Sequence, residues 1–321
     1  VTVACAELLD EAPRASAEVV LGHDVGRRPE FAGQLDHVAT ADLEMPASVD
    51  ARAGGKDMGE LSGGGAHRRP IMPRDAGAWH DRRVPHRRTV IPVLPNEIAI
   101  RDGLAYSLWI PTAGTIHGGV VILHGAGSCK ESHHDFARAL LPPGLAALSF
   151  DQRGHGASES PMDARALADI AAMVSLLRER IGLDKPIALR GSSMGGYLAL
   201  IAAGAVHAQA VVAICPASAS GLQRGLDAGT LRFDADVEAL ARLLGEHDLQ
   251  DAVSALDIPV LLLHAEGDEQ VPVQHSRELE PHLAHPASRL IVVPGGHHRS
   301  IQHDEELQAV SLRFLERSLT Q

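Results

Sequence analysis

Gly191-Ser192-Ser193-Met194-Gly195 is the segment of this chain whose residue types point most directly to chemistry. It follows the apolar run Ile187-Ala188-Leu189 and leads into a helix-like stretch from Tyr197 to Ala205. A G-x-S-x-G pentapeptide between a strand and a helix is the sequence form of a sharp turn that lifts one serine hydroxyl to the end of a sheet. Glycines flank the serine because bulkier neighbours would strike the strand and the helix. Ser193, at the centre, is the candidate nucleophile, whereas Ser192 lies one position off the apex. The helix that starts beyond it presents free N–H groups, which favour developing negative charge.

A serine hydroxyl is a weak nucleophile until a base takes its proton. Histidine suits that task because its pKa lies near neutrality, and a carboxylate fixes its tautomer. Both residue types follow downstream, each at the end of an apolar run that reads as a buried strand. Pro259 to His264 leads into Glu266-Gly267-Asp268-Glu269, and Leu290 to Val293 leads into Gly295-Gly296-His297-His298. The residues alone leave His297 beside His298 as base, and Glu266 and Glu269 beside Asp268 as acid. Upstream, Gly118 to Leu123 runs into His124-Gly125-Ala126-Gly127. A small glycine-rich loop lets backbone N–H groups approach a substrate oxygen, which becomes an oxyanion during acyl transfer. The expected donors are the N–H groups of Met194 and Ala126. His124 reads as a structural hydrogen bonder. The chain has 19 histidines, yet no Cys/His grouping has zinc-ligand spacing, so neither metal nor cofactor is expected.

HGAG (124–127), DQRGHGAS (151–158), GSSMG (191–195), GD (267–268) and GGHH (295–298) occur in this order. Together they resemble the α/β-hydrolase superfamily, and within it the small-lidded carboxylesterase and serine-aminopeptidase-like branch. The resemblance covers residues 91–321. Its loops read Gly-Asp-x-x-Val-Pro and Gly-x-x-His, which implies Ser193 as nucleophile, Asp268 as orienting acid and His298 as base. It also implies that Asp151, Arg153 and Ser158 are scaffold. Ser192 stands where many relatives carry His. The implied activity is hydrolysis of short- to medium-chain carboxylic esters, with no cofactor. Amide or thioester hydrolysis by the same residues is the alternative. An aminopeptidase would need fixed carboxylates for a substrate ammonium, and Glu131, Glu159 and Glu269 are the candidates.

The elements that must position these groups alternate in type. An antiparallel opening pair is expected at 89–93 and 104–110, followed by strands at 119–124, 146–150, 187–191, 210–215, 259–264 and 289–293. Helices at 132–141, 163–181, 194–205, 273–284 and 302–319 separate them. This predicts an α/β fold, a mostly parallel sheet with helices on both faces. Residues 216–257 interrupt the alternation with helix-like pieces near 235–244 and 247–255, and are expected to form a small lid. Leu222, Leu226, Leu231, Phe233, Leu240 and Leu243 would line it. Residues 1–90 differ: 50–90 is rich in Gly, Arg, His and Pro without periodicity, so a poorly structured extension is expected.

The net charge of 29 − 41 = −12 argues against nucleic acid or an anionic membrane surface as the main partner, and the resemblance implies a small-molecule ester substrate. Aromatic residues make up only 3%, so the core must be aliphatic. Cys5, Cys129 and Cys215 are too few and too scattered for a disulfide framework. With no visible signal peptide, a cytoplasmic protein is expected.

Overall fold

A computed structural model describes residues 92–320. Eight strands form one sheet in the order β1-β2-β4-β3-β5-β6-β7-β8. They are β1 (Glu97–Arg101), β2 (Leu104–Trp109), β3 (Gly118–Leu123), β4 (Leu145–Phe150), β5 (Ile187–Ser192), β6 (Ala210–Ile214), β7 (Val260–Ala265) and β8 (Arg289–Val293). The β1–β2 and β2–β4 pairs are antiparallel and the rest are parallel. The opening pair is therefore present, but the strand that pairs with β2 is Glu97–Arg101; of the expected 89–93, residues 92 and 93 lie in no strand and 89–91 lie outside the described residues. The short alternation Glu97-Ile98-Ala99-Ile100-Arg101 outweighs the Pro92-interrupted run before it, because proline withholds a ladder N–H.

The helices are α1 (His134–Ala139), α2 (Ala166–Ile181), α3 (Met194–Ala202), α4 (Ala219–Asp227), α5 (Val237–Glu246), α6 (Leu249–Ser254), α7 (Val273–Leu279) and α8 (Glu305–Leu319). The central strands are buried on both faces, as parallel sheets with helical cover must be. Alternate residues feed two cores. Val121, Leu123 and Leu189 meet Leu177 of α2 and Leu198 of α3 on one face. Val120, Ile122 and Val212 meet Phe136 of α1 and Phe314 and Leu315 of α8 on the other.

Between β6 and β7 lie three helices, α4, α5 and α6. The sequence signals α5 and α6 but not α4, whose nine residues hold two glycines in Ala-Ser-Gly-Leu-Gln-Arg-Gly-Leu-Asp. Each of the three starts at a side-chain cap, Ser218, Asp236 and Asp248 respectively. Cys129 and Cys215 are buried, while Cys5 and the expected extension lie outside the described residues. Among the described residues no helix is long and apolar enough to cross a membrane.

Candidate active site

Ser193 is the single residue between β5 and α3, with φ 52° and ψ −120°. A side chain at positive φ is strained and persists only where its surroundings over-determine it. Here the Ser193 N–H donates to Ile214 O at 2.8 Å, and Ser193 O accepts from the Tyr197 and Ala217 N–H groups at 3.0 and 3.1 Å. A Cβ added at Gly191 would lie 2.1 Å from Gly195 O, and one at Gly195 would lie 2.4 Å from Leu123 O. Both obstacles are backbone atoms, so only glycine fits at either position. Met194 is the first residue of α3, and its N–H has no carbonyl to pair with inside its own helix.

The His124–Gly127 turn runs directly against this serine: a Cβ on Gly125 would approach Ser193 Cβ at 3.2 Å. Ala126 follows in the same turn. His124 is fully buried. Its Nδ1–H donates to Gly125 O at 2.8 Å, and its Nε2 accepts from the Gln152 N–H at 3.0 Å. The ring is thus a neutral Nδ1–H tautomer, and burial lowers its pKa. Its predicted structural role agrees with these bonds. His124 meets His155 edge to face at 4.8 Å between centroids, and His155 stacks on Phe233 of the β6–β7 segment at 4.4 Å. Burial lowers the His155 pKa to about 3.

The loops after β7 and β8 are zipped together. Glu266 N–H donates to Val293 O at 2.9 Å and Gly267 N–H to Gly295 O at 3.1 Å. This brings His298 Nδ1 to 2.7 Å from Asp268 Oδ2. Asp268 Oδ1 accepts the Gln270 and Val271 N–H groups at 2.9 and 2.8 Å. Burial by itself would raise the Asp268 pKa. Hydrogen bonds from His264, His298 and Val271 overcome that and hold the carboxyl far below the usual range. The rivals stand elsewhere. His297 is exposed and its main chain is tied to Ser300, while Glu266 is exposed and pairs with Arg277 at 2.9 Å. Glu269 is also exposed.

Asp151, Arg153 and Ser158 form a scaffold behind the site. Asp151 accepts from Lys130 N–H at 2.7 Å and Lys130 Nζ at 2.8 Å, and Arg153 clamps Asp169 of α2 through two bonds at 2.8 and 2.9 Å. Ser158 Oγ–H donates to Asp151 O and accepts from the Ala105 N–H.

Three neighbours of the site escape sequence reasoning. His264 is wholly buried at the end of β7: its Nε2–H donates to Val271 O at 2.9 Å and leans toward Asp268 Oδ2 at 3.4 Å. Its Nδ1 accepts from Ser276 Oγ–H at 2.7 Å. The signal was a polar residue closing the apolar run Val260-Leu261-Leu262-Leu263. Arg190 of β5 is fully buried, lies 3.9 Å over the Phe136 ring and donates to Gln302 O at 3.3 Å, just beyond the His298 loop. Burial lowers its pKa to about 10.

Cys215 follows β6 at φ 43°. Its sulfur and the nearest ligand-type atoms of Asp268 and His298 all lie within 4.8 Å of one another. The set is a poor metal cage. Asp268 and His298 already bond each other, and burial pushes the Cys215 thiol up, so it keeps the proton a metal would displace. Ser193 N–H on Ile214 O and Cys215 N–H on Leu263 O, at 2.8 Å each, link the serine turn to the strand that carries Asp268. All these groups stand at the carboxyl end of the parallel strands, where open α/β sheets place their chemistry.

Residues 119–244 match the family described as alpha/beta hydrolase fold. The chain is 28% identical over 250 residues to the monoacylglycerol lipase of Mycolicibacterium smegmatis, covering 63% of this chain and 88% of that one. In structure it is similar to Est1E of Butyrivibrio proteoclasticus, solved with ferulic acid bound (TM-score 0.57, 21% identity, 68% of this chain and 98% of that one). It is also similar to the monoacylglycerol lipase of Paleococcus ferrophilus (TM-score 0.53, 20% identity, 68% and 98%). With the sheet order and the strained serine turn already in view, these likenesses agree on one point: the chain has the α/β-hydrolase fold, and the proteins it is similar to include esterases and lipases.

Proposed function

We propose that this protein is a serine carboxylesterase, and the observation that carries the reading is the 2.7 Å bond between His298 Nδ1 and a buried Asp268 carboxylate. A bond to Nδ1 leaves Nε2 as the basic nitrogen of the ring. Ser193 Oγ attacks the ester carbonyl carbon while His298 Nε2 takes its proton. The carbonyl oxygen becomes an oxyanion held by the Met194 and Ala126 N–H groups. Collapse breaks the bond to the alcohol oxygen, and His298 returns its proton to that leaving group. Water then attacks the acyl-enzyme, again giving its proton to His298, and the acid departs as Ser193 is reprotonated.

Residues 216–257 act as the small lid. A small cavity begins at the residue after the nucleophile, and its wholly apolar lining of Met194, Leu198, Leu222, Leu226, Phe233 and Leu240 supports a short or medium acyl chain as the group bound there. An ester is favoured over an aminoacyl substrate because Glu131, a candidate for binding an ammonium, is occupied by Lys130 Nζ at 2.8 Å. Residues 1–90 are an extension that catalysis does not need, so a chain begun at residue 91 keeps its activity.

The test is hydrolysis of p-nitrophenyl esters from acetate to palmitate by wild type and Ser193→Ala, with fluorophosphonate labelling alongside. Short-chain activity and labelling that both vanish in Ser193→Ala support the reading. A folded wild type that neither labels nor turns over any ester refutes it.

A further inference from the structure

The turn Asp102–Gly103, with φ 53° and 78°, closes the β1–β2 hairpin and pairs Arg101 with Leu104. In a two-residue hairpin the closing pair exchanges both hydrogen bonds, and bonded and non-bonded pairs alternate from there. Glu97, Ala99 and Arg101 thus spend their main-chain groups on β2, while Ile98 and Ile100 turn theirs outward. β1 is an edge of the sheet, with no strand beyond it among the described residues. Ile98 and Ile100 share one face and are 68% and 56% exposed. The strand carries neither Lys nor Pro, two devices that keep an edge from pairing.

We propose that β1 is the interface of a two-fold dimer, pairing antiparallel with β1 of a second copy so that Ala99 faces its own mate. Glu-Ile-Ala-Ile-Arg is complementary to its own reverse in that register. Ile98 lies across Ile100 of the second copy, with the outward main-chain groups of both meeting, and Glu97 lies across Arg101. A two-residue slip leaves both charges unmatched, and a four-residue slip sets Glu97 against Glu97 or Arg101 against Arg101. Glu97 is already held by Arg180 at 3.1 Å and Arg101 by Glu179 at 2.6 Å. Pairing joins these into a row of alternating charge, Arg180, Glu97, Arg101, Glu179, running across the two-fold axis. On the opposite face the isoleucines cover one another. The contact is isologous and closed, so it stops at two copies.

Sedimentation equilibrium of the full chain at micromolar concentration tests this. Wild type is expected at the dimer mass. Ile100→Pro removes an outward N–H that the monomer does not use, and Ile98→Lys puts a charge on the edge. Each should raise the dissociation constant about tenfold or more, with hydrolysis unchanged and the unfolding temperature lowered only by the lost dimer linkage. Ala99→Cys should cross-link to its mate on mild oxidation, whereas wild type and Ile98→Cys, which is offset from its mate, should not. A monomeric full chain overturns the proposal, and if its β1 amides are still protected from hydrogen exchange, the edge belongs to residues 1–91. A dimer that survives both substitutions, or an Ala99→Cys chain that stays uncross-linked, overturns it as well.

Discussion

The turn at Ser193 and the segment between β6 and β7 border the same cleft but are specified in different ways. At the turn single atoms decide: the 2.1 and 2.4 Å clashes that a Cβ would make at Gly191 and Gly195 leave one residue type. In the segment, capped amphipathic helices dock through Leu222, Leu226, Leu240 and Leu243, all aliphatic and mutually exchangeable. A backbone constraint fixes where a reaction happens. An apolar contact fixes only how much room is left, so reaction type and acyl preference are separable.

The largest effect expected is chemical. Ser193→Ala or His298→Ala should lower kcat by about 10⁶, and Asp268→Asn by roughly 10⁴, with unfolding midpoints near wild type. A His298→Ala enzyme with ordinary turnover would reassign the base. Next comes Gly195→Ala, which should cost about 3 kcal/mol or more in urea unfolding because the new methyl meets two carbonyls. Unchanged stability there would show that the turn tolerates a side chain.

Leu226→Trp fills the cavity beside Met194. It should cut kcat/KM for a hexanoate ester by about tenfold or more while sparing the acetate. Equal losses on both esters would mean the cavity does not hold the acyl chain.

Acid stability offers a subtler contrast. His134, half-buried, and His155, buried, are neutral in the fold, their pKa values lowered by burial from 6.5 to about 4 and about 3. The unfolded chain therefore binds more protons below pH 6.5, so their contribution is intact above that value and lost as pH falls toward 3. Asp268, whose folded pKa is lowered, adds a loss only below its ordinary value of 3.8. Unfolding free energy measured against pH should begin to fall near 6.5, and less steeply in His155→Phe; an onset only below 3.8 would remove the histidines as the cause. The smallest effect is Gly245→Ala in α5, where a Cβ meets nothing within 4 Å. It should stabilise by about 0.4–1 kcal/mol, by the same unfolding assay.

The sequence by itself determined the alternation of strands and helices, the serine turn, and the loops that carry Asp268 and His298. These are short-range facts: strand and helix periods and glycine spacing act over a few residues, and each candidate residue sits at the end of its own apolar run. It left β1 misplaced, because five residues of alternation compete poorly with a neighbouring apolar run until β2 supplies the partner. It left α4 unseen, because local propensity opposes a helix that burial of Leu222 and Leu226 sustains. Only the tertiary structure decided between His297 and His298 as the partner of Asp268, through hydrogen bonds joining loops about 30 residues apart. The burial of His264, Arg190 and Cys215 around that pair likewise needed the assembled sheet. A residue's partners across strands depend on register and twist, which no local pattern encodes.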